Sequence, residues 1–269
     1  MSINSTTELQ FNGFLNTPNL WKKENPLGVN NLELNLNYHC NNLIIKKKNR
    51  LGKLAEQFVI HCLKQDDSVK LLAESLQIQQ NKTTIGEIDC LFIKKNKPIH
   101  LEIVYKFYLY EHTFGNTELK RWIGPNRNDT LIKKLEKLQT KQFPLLYNQN
   151  TKPYLQNLGY KADDFLQQLC FKAQLFVPYD LELPKFELLN TDCVQGIYIK
   201  RNNLDVFEGC SFYIPTKLDW LLEINPQVNW LSFEEFKKLV EISLKAHRSS
   251  LCWIKHSNNN YSKCFVVWW

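Results

Sequence analysis

The sequence lacks any apolar run near the roughly 18 residues that a bilayer-crossing helix needs. Its first residues show neither the basic stretch nor the apolar stretch of a secretory signal, so we expect a cytoplasmic protein with no membrane partner. Glycine is scarce, with 9 residues in 269, which excludes collagen-like chains and glycine-rich linkers. None of the 8 cysteines forms a C-x-x-C pair, so we expect reduced cysteines in a hydrophobic core rather than a zinc ribbon.

The composition is typical of a globular protein, with 43% hydrophobic and 23% charged residues. The length fits one large domain or two small ones. The formal net charge of +7 is mildly basic, which is compatible with a polyanionic partner but does not identify one.

The first strong pattern begins at Arg50, in RLGKLAEQFVIHCLKQ, where apolar residues recur at helical spacing. Glu56 lies at the margin of this apolar stripe, where a carboxylate either faces solvent or points to a neighbouring site. Three strand-like segments follow, namely residues 69–79, then IGEIDCLFIKK and PIHLEIVYKFYLY. The polar turn at 95–98 between the last two predicts a β-hairpin.

Further elements follow the hairpin. The sequence pattern predicts a basic amphipathic helix at residues 129–142 and another helix at residues 162–169. It also predicts a buried strand at KAQLFVP. In the C-terminal third we expect two strands, then a helix whose Ser232 and Glu235 form a capping box, then a closing hairpin.

These patterns divide the chain into three predicted regions. Residues 46–180 form the α/β core, residues 181–269 form a smaller strand-rich C-terminal region, and residues 1–45 form an extension that packs on the core.

Four residues form the candidate chemical site: Glu56 on the helix, Asp89 on one hairpin strand, and Glu102 and Lys106 on the other. Carboxylates that converge from neighbouring elements repel one another unless a cation lies between them. Hard oxygen ligands suit Mg²⁺ or Mn²⁺ rather than zinc. With a lysine nearby, such a site could hydrolyse a phosphodiester bond.

Glu56, the GEID segment that contains Asp89, Glu102 and a downstream lysine together resemble the pattern of the PD-(D/E)XK phosphodiesterase superfamily. The order of the predicted elements is similar to the restriction-endonuclease-like αβββαβ core of that superfamily. More narrowly, GEIDCLFI, HLEIVYKFYLY and GPNRNDTLIKKL resemble an uncharacterised bacterial domain of unknown function, number eighteen fifty-three, which is placed in that superfamily. The resemblance implies an α/β fold with a mixed central sheet and a Mg²⁺- or Mn²⁺-dependent nuclease activity.

The resemblance also assigns roles to residues. Asp89 and Glu102 would be the principal metal ligands, and the backbone carbonyl of Ile103 would add a third oxygen. Glu56 would bind a second cation or a water. Lys106 would take the place of the superfamily's lysine.

The spacing of this lysine departs from the superfamily pattern, which places it two residues after the glutamate, where this chain has Val104. Lys106 lies four residues after Glu102, on the same strand face but about 13 Å along the strand instead of about 6.5 Å. A bulge or the long lysine stem would have to shorten this path. Glu87 is either an additional carboxylate of the site or a charge on its flank.

A nucleic acid, DNA or RNA, is the expected partner. Lys53, Asn126, Lys133 and Lys134 are the candidate phosphate-binding residues, with the start of the basic helix as a phosphate site. For Asp129, at that helix start, capping the helix is the alternative interpretation.

Two other functions remain open at this point. The first is a catalytically inactive, nuclease-like module that binds nucleic acid or acts as an adaptor, which the displaced lysine favours. The second is a structural or protein-interaction role for the aromatic C-terminal region.

Overall fold

The computed structural model describes residues 6–46, 50–182 and 185–269, and its fold is mixed α/β with a large mixed sheet of ten strands. The α-helices are α1 (Thr6–Asn16), α2 (Leu51–Lys64), α3 (Leu131–Lys137), α4 (Lys152–Asn157) and α5 (Phe233–Lys245). The strands are β1 (Asn30–Asn31), β2 (Val69–Gln80), β3 (Thr83–Lys94), β4 (Lys97–Tyr110), β5 (Trp122–Ile123), β6 (Leu166–Pro178), β7 (Val194–Lys200), β8 (Ser211–Tyr213), β9 (Ser250–Lys255) and β10 (Tyr261–Val267). Within these described ranges, no helix has the length and apolar character that a membrane crossing requires.

The chain forms two compact units that interleave along the sequence. Unit 1 contains Met1–Pro18, Lys106–Ile132 and Ala173–Trp269, and unit 2 contains Asn19–Tyr105 and Lys133–Lys172. Strands β4 and β6 therefore each carry residues of both units. The predicted regions 1–45, 46–180 and 181–269 stay predictions; their residues 1–5, 47–49 and 183–184 lie outside the described part of the chain.

The strands of unit 2 follow the order β2-β3-β4-β6. Antiparallel pairing joins β2 to β3 and β3 to β4, so the predicted hairpin is confirmed. The turn of that hairpin consists of Lys95 and Asn96, whose φ angles are 49° and 61°. A two-residue turn with positive φ at both positions matches the right-handed twist of the strands that it connects.

Helix α2 confirms the helix predicted from Arg50 onward. Its buried residues recur at helical spacing and include Leu54, Phe58 and Cys62. The opposite margin carries charged and polar residues. The hydrophobic core of unit 2 also contains Ile88 and Leu91 of β3.

The predicted helix 129–142 is only partly α-helical. α3 ends at Lys137, Leu138–Gln142 form a wider π-helical turn, and Phe143–Tyr147 form a tighter 3-10 turn.

Unit 1 combines parallel and antiparallel pairs. Strand β7 pairs parallel with both β6 and β10, and β9 pairs antiparallel with both β10 and β8. Helix α5 has the predicted capping box, because Ser232 Oγ accepts from the Glu235 amide and Glu235 Oε2 accepts from the Ser232 amide at 2.8 Å. The rings of Phe212 and Phe236 stack with centroids 4.0 Å apart in the core of this unit.

The helix predicted at 162–169 is wrong. A short 3-10 turn occupies Ala162–Asp164, and β6 begins at Leu166. In a strand with one face in solvent, about five of the last ten residues of β6 would be exposed, yet all ten are buried. A strand that is buried on both faces lacks the alternation of apolar and polar residues from which a strand is predicted.

All eight cysteines are free, and six of them are buried. Their placement agrees with the expectation of reduced cysteines in the core.

Candidate functional site

Helix α2 brings two charged residues to the same side of unit 2. Lys53 and Glu56 are three positions apart, so their side chains lie one turn apart on one face of the helix. Lys53 Nζ donates to Glu56 Oε2 at 2.5 Å. Since the adjacent face of α2 packs into the core, Glu56 is held at the edge of buried space and is only partly exposed.

The β3–β4 ladder opens beside this helix-borne pair. Its last paired residues are Cys90 and Leu101, so the next position on each strand carries Asp89 and Glu102. Both side chains are buried. The Ile103 amide donates to Asp89 Oδ2 at 2.9 Å, so the Asp89 carboxylate satisfies a backbone group beyond the end of the ladder.

Three carboxylates converge at this opening. Glu56 of α2 and Glu87 and Asp89 of β3 each offer an oxygen, and these oxygens lie within 4.8 Å of one another. Glu87 and Asp89 are two positions apart on β3 and so project to the same face. Lys53 Nζ also donates to Glu87, and this lysine thereby joins Glu56 and Glu87.

Glu102 has its own buried hydrogen-bond network. His100 Nε2 lies 3.0 Å from Glu102 Oε1, and both side chains are fully buried. The Gln142 amide donates to Glu102 Oε2, and Lys134 Nζ donates to Gln142 Oε1 at 2.7 Å. The π-helical turn thus supplies a donor to Glu102, and a lysine of α3 orients that donor.

The His100 ring is fixed by two further contacts. Gln167 Nε2 lies 3.5 Å from Nδ1 and donates to the Phe143 carbonyl at 3.0 Å, while the Phe143 ring packs edge-on against the imidazole. Burial lowers the pKa of His100 to about 4. A neutral imidazole that accepts at Nδ1 donates from Nε2, which makes His100 a donor to Glu102.

Burial also shifts the pKa values of the carboxylates, but it raises them, whereas it lowers that of His100. It raises the pKa of Glu56 to about 7, with the nearby Asp89 charge adding to the effect. For Asp89, burial and the Glu102 charge raise the pKa; for Glu102, burial is again the main cause. Mutual repulsion of buried charges favours their protonated forms, so this cluster retains protons that exposed carboxylates would lose.

The lysine of this cluster is Lys53. Hydrogen bonds to Glu56 and Glu87 raise the pKa of Lys53 to about 12 despite partial burial, so the ammonium stays charged. Lys106 belongs to unit 1, where its Nζ donates to Asp129 Oδ2 at 2.5 Å. The role that the resemblance gives to Lys106 stays a prediction.

The predicted phosphate-binding residues fall in both units. Lys133 and Lys134 lie on α3 in unit 2, Lys133 exposed and Lys134 partly buried. Asn126 lies in unit 1, where its Oδ1 accepts from the Ser249 amide at 2.8 Å. Nucleic-acid binding by these residues stays a prediction.

Three contributions to the site were not assigned from the sequence: Lys53 as the partner of the carboxylates, Gln142 as a donor to Glu102, and His100 as a second donor. The i,i+3 spacing of Lys53 and Glu56 could have indicated the first. The shared strand face of His100 and Glu102 could have indicated the third. Nothing in the sequence marks the π-helical turn that directs Gln142.

The fold and this cluster define a mixed α/β protein with a buried carboxylate site. The chain belongs to the family described as Domain of unknown function (DUF1853), whose model matches residues 15–267. All residues of the cluster lie inside this match. No curated protein and no solved structure matches the chain.

Proposed function

We propose that the protein is a metal-dependent nuclease that hydrolyses phosphodiester bonds of a nucleic acid. The observation that carries this proposal is the convergence of Glu56, Glu87 and Asp89 oxygens within 4.8 Å, next to the buried Glu102. Acids gathered at this density in a partly buried place favour the binding of a positive ion.

The donor set fits Mg²⁺ or Mn²⁺. Every candidate ligand is a carboxylate oxygen, the type that these hard cations prefer, and the group contains no sulfur or imidazole. The raised pKa of Glu56 has burial and a neighbouring carboxylate as its causes. A divalent cation would attract the charged carboxylates and reduce their mutual repulsion. Its binding would therefore offset the unfavourable free energy of burying these charges.

The residues divide the work between them. Glu56, Glu87 and Asp89 would hold the ion, with Glu102 as the fourth carboxylate, and the bound ion would supply an acidified water and neutralise charge on a phosphate. His100 and Gln142 hold the Glu102 carboxylate in one orientation, from opposite oxygens. These two donors would act as positioning residues.

Lys53 is the ammonium that this proposal places beside the scissile phosphate. In the structure it forms ion pairs with Glu56 and Glu87. Its partly exposed side chain can turn towards a phosphate oxygen when a cation takes its place between the carboxylates. Lys106, paired with Asp129, is the alternative that the superfamily resemblance provides.

The order of the elements supports the superfamily assignment within this proposal. Helix α2 precedes the antiparallel strands β2, β3 and β4, and α3 and β6 follow. This order agrees with αβββαβ, and the GEID segment lies on β3 where the superfamily places its aspartate. A restriction-endonuclease-like core is therefore part of the proposal.

The test is cleavage of single-stranded and double-stranded DNA and RNA with Mg²⁺, Mn²⁺ or EDTA. We expect metal-dependent cleavage by the wild type and a loss of at least about a hundredfold in Asp89→Asn, which keeps the acceptor for Ile103 but removes a charged ligand. Asp163→Asn, an exposed aspartate of the same unit, is the matched control and should cleave normally. Cleavage that Asp89→Asn retains in full would contradict the proposed site.

A second candidate function is a nuclease-like protein that binds nucleic acid without cleaving it. The observation in its favour is Lys53, which neutralises Glu56 and Glu87 with no metal required. Salt-sensitive nucleic-acid binding together with no cleavage in any metal would support this candidate over the nuclease.

A further inference from the structure

A pocket in unit 2 shares residues with the network behind Glu102. Its volume is about 230 Å³, below the range of pockets for drug-sized ligands and suited to a single flat heterocycle. Its apolar wall consists of Leu27, Val29, Phe143, Pro144 and Tyr147. No lining side chain carries a charge at neutral pH.

The two aromatic residues of the wall differ in their exposure. Phe143 is 5% exposed and packs against His100, so it is fixed in place. Tyr147 is 54% exposed, so part of its ring faces solvent. An exposed ring next to an apolar floor offers a face on which a planar ligand can stack.

Two amide side chains add polar groups to the pocket. Gln167 uses its Nε2 on the Phe143 carbonyl and on His100, and within the described part of the chain its Oε1 accepts no hydrogen bond. The exposed Gln139 side chain makes no hydrogen bond to any described residue. Amide groups of this kind read the donor and acceptor edges of nucleobases.

The pocket is joined to the carboxylates by consecutive residues. Gln142 donates to Glu102, and the next residue, Phe143, lines the pocket. On the other side, Gln167 lines the pocket and contacts His100, which binds Glu102. The pocket lining is therefore linked to the Glu102 carboxylate through Gln142 on one side and through His100 on the other.

The segment that builds the pocket is also basic. Lys133, Lys137 and Lys141 are exposed on the stretch that leads into Phe143, and Lys134 is partly exposed. Positive side chains beside an uncharged aromatic pocket complement a strand whose phosphates are negative and whose bases are flat and neutral.

We propose that this pocket binds one unpaired nucleobase of the substrate strand, stacked on Tyr147, next to the phosphate at the carboxylates. The proposal rests on the proposed function and deepens it by naming single-stranded nucleic acid, or a strand with a displaced base, as the substrate class. A base inside a duplex is stacked and paired on all sides, so it cannot enter a pocket of this kind without leaving the helix.

The test uses a single-stranded oligonucleotide that contains the fluorescent base 2-aminopurine, as DNA and as RNA, titrated with full-length protein in EDTA so that no cleavage occurs. Stacking on a tyrosine ring quenches this fluorophore. We expect saturable quenching by the wild type and by Tyr147→Phe, which keeps the ring. Tyr147→Ala should bind roughly tenfold more weakly and quench less.

Two controls separate a base pocket from general effects. Tyr154→Ala removes another exposed tyrosine of unit 2 that does not line the pocket, and it should bind like the wild type. The same oligonucleotide in a duplex should show much less quenching. Circular dichroism of Tyr147→Ala checks that the variant is folded, as its exposed position predicts.

The outcomes distinguish this proposal from the nuclease proposal. Tyr147-dependent quenching without cleavage in Mg²⁺ would support the pocket and overturn the nuclease function. Cleavage by a Tyr147→Ala protein that binds and quenches like the wild type would overturn the pocket and leave the nuclease function standing. Equal losses in Tyr147→Ala and Tyr154→Ala, or no binding by the wild type, would also overturn the pocket.

Discussion

At the scale of single residues, Lys53 and Lys106 present the same ammonium group in two settings. Lys53 is shared between Glu56 and Glu87, whereas Lys106 is paired with Asp129. Because Lys53 is held by the carboxylates that the proposal assigns to the cation, binding of that cation would release Lys53. The released lysine would then be available to a phosphate oxygen of the proposed substrate.

The residue-scale prediction compares the two lysines directly. Lys53→Met should lower the rate of metal-dependent cleavage by about tenfold or more, because the charge beside the phosphate is lost. Lys53→Arg should keep part of the rate, and Lys106→Met should change it less than threefold, which marks a group outside the reaction. Initial rates at saturating Mg²⁺ provide the measurement.

An inactive Lys106→Met and an active Lys53→Met would contradict this prediction. Lys106, which the superfamily resemblance indicates, would then be the lysine that acts on the phosphate. Because the Lys53 side chain is 45% exposed, only a small change in stability is expected in Lys53→Met. A folding defect therefore does not imitate the expected loss of rate.

At the scale of elements, the change from α3 through the π-helical turn to the 3-10 turn positions two functional neighbours. The wider turn Leu138–Gln142 directs Gln142 to Glu102, and the tighter turn that follows directs Phe143 to His100. Interruptions of this type inside helices frequently occur at functional sites. A regular α-helix through residue 147 would place these two side chains differently.

Helix α5 provides the element-scale prediction. Ser232→Ala removes the capping side chain of this helix and should lower the free energy of unfolding by about 1 kcal/mol, as measured by urea denaturation. Metal-dependent cleavage should not change, because α5 lies in unit 1 and the carboxylates lie in unit 2. Loss of cleavage in a variant that remains folded would contradict this separation.

Elements with a clear period were predictable from the sequence. Helix α2 and the capping box of α5 have strong local signals, and the β3–β4 hairpin has alternation plus a polar turn. Alternation also places Glu87 with Asp89 on one face of β3, and Glu102 with Lys106 on one face of β4, because each strand has a side-chain period of two. Together with the superfamily resemblance, these faces predict the acidic pair.

The remaining elements depend on tertiary structure. Strand β6 is buried on both faces, so its sequence has no alternation, and its first residues fall within the helix predicted at 162–169. The sequence of the π-helical turn has the same apolar periodicity as an α-helix. The path of the chain after Lys137 therefore could not be predicted from this periodicity. The ladder that opens after Cys90 is likewise a property of the assembled sheet.

At the scale of the whole molecule, the buried acids make the free energy of unfolding depend on pH, and the proposed cation would add a dependence on metal. Folding raises the pKa of Glu56 to about 7 and raises those of Asp89 and Glu102, whereas unfolded carboxylates titrate near 4. The folded state therefore binds more protons in this window. The stabilisation is present below about pH 4 and is lost as pH rises towards 7.

The prediction concerns the difference between the wild type and Asp89→Asn in EDTA. Relative to the variant, the wild type should lose unfolding free energy between pH 5 and pH 8, because its charged cluster is penalised only at the higher pH. Mg²⁺ at about a hundred times its dissociation constant should restore about 2.7 kcal/mol to the wild type at pH 8. Urea denaturation at both pH values gives these numbers.

Asp163→Asn serves as the matched control and should follow the wild type in every condition. If Asp89→Asn gained as much stability from Mg²⁺ as the wild type, the ion would bind elsewhere. This result would also remove the physical basis of the proposed hydrolysis.

The interleaving of the two units has a consequence for the order in which the chain is synthesised. All residues of unit 2 have been added once the ribosome passes residue 172, whereas unit 1 needs the final stretch to residue 269. Domains can fold as they emerge, so the acidic cluster can assemble while the last strands are still being translated. During that interval, the early segments of unit 1 cannot yet pack against the residues of that unit that are synthesised last.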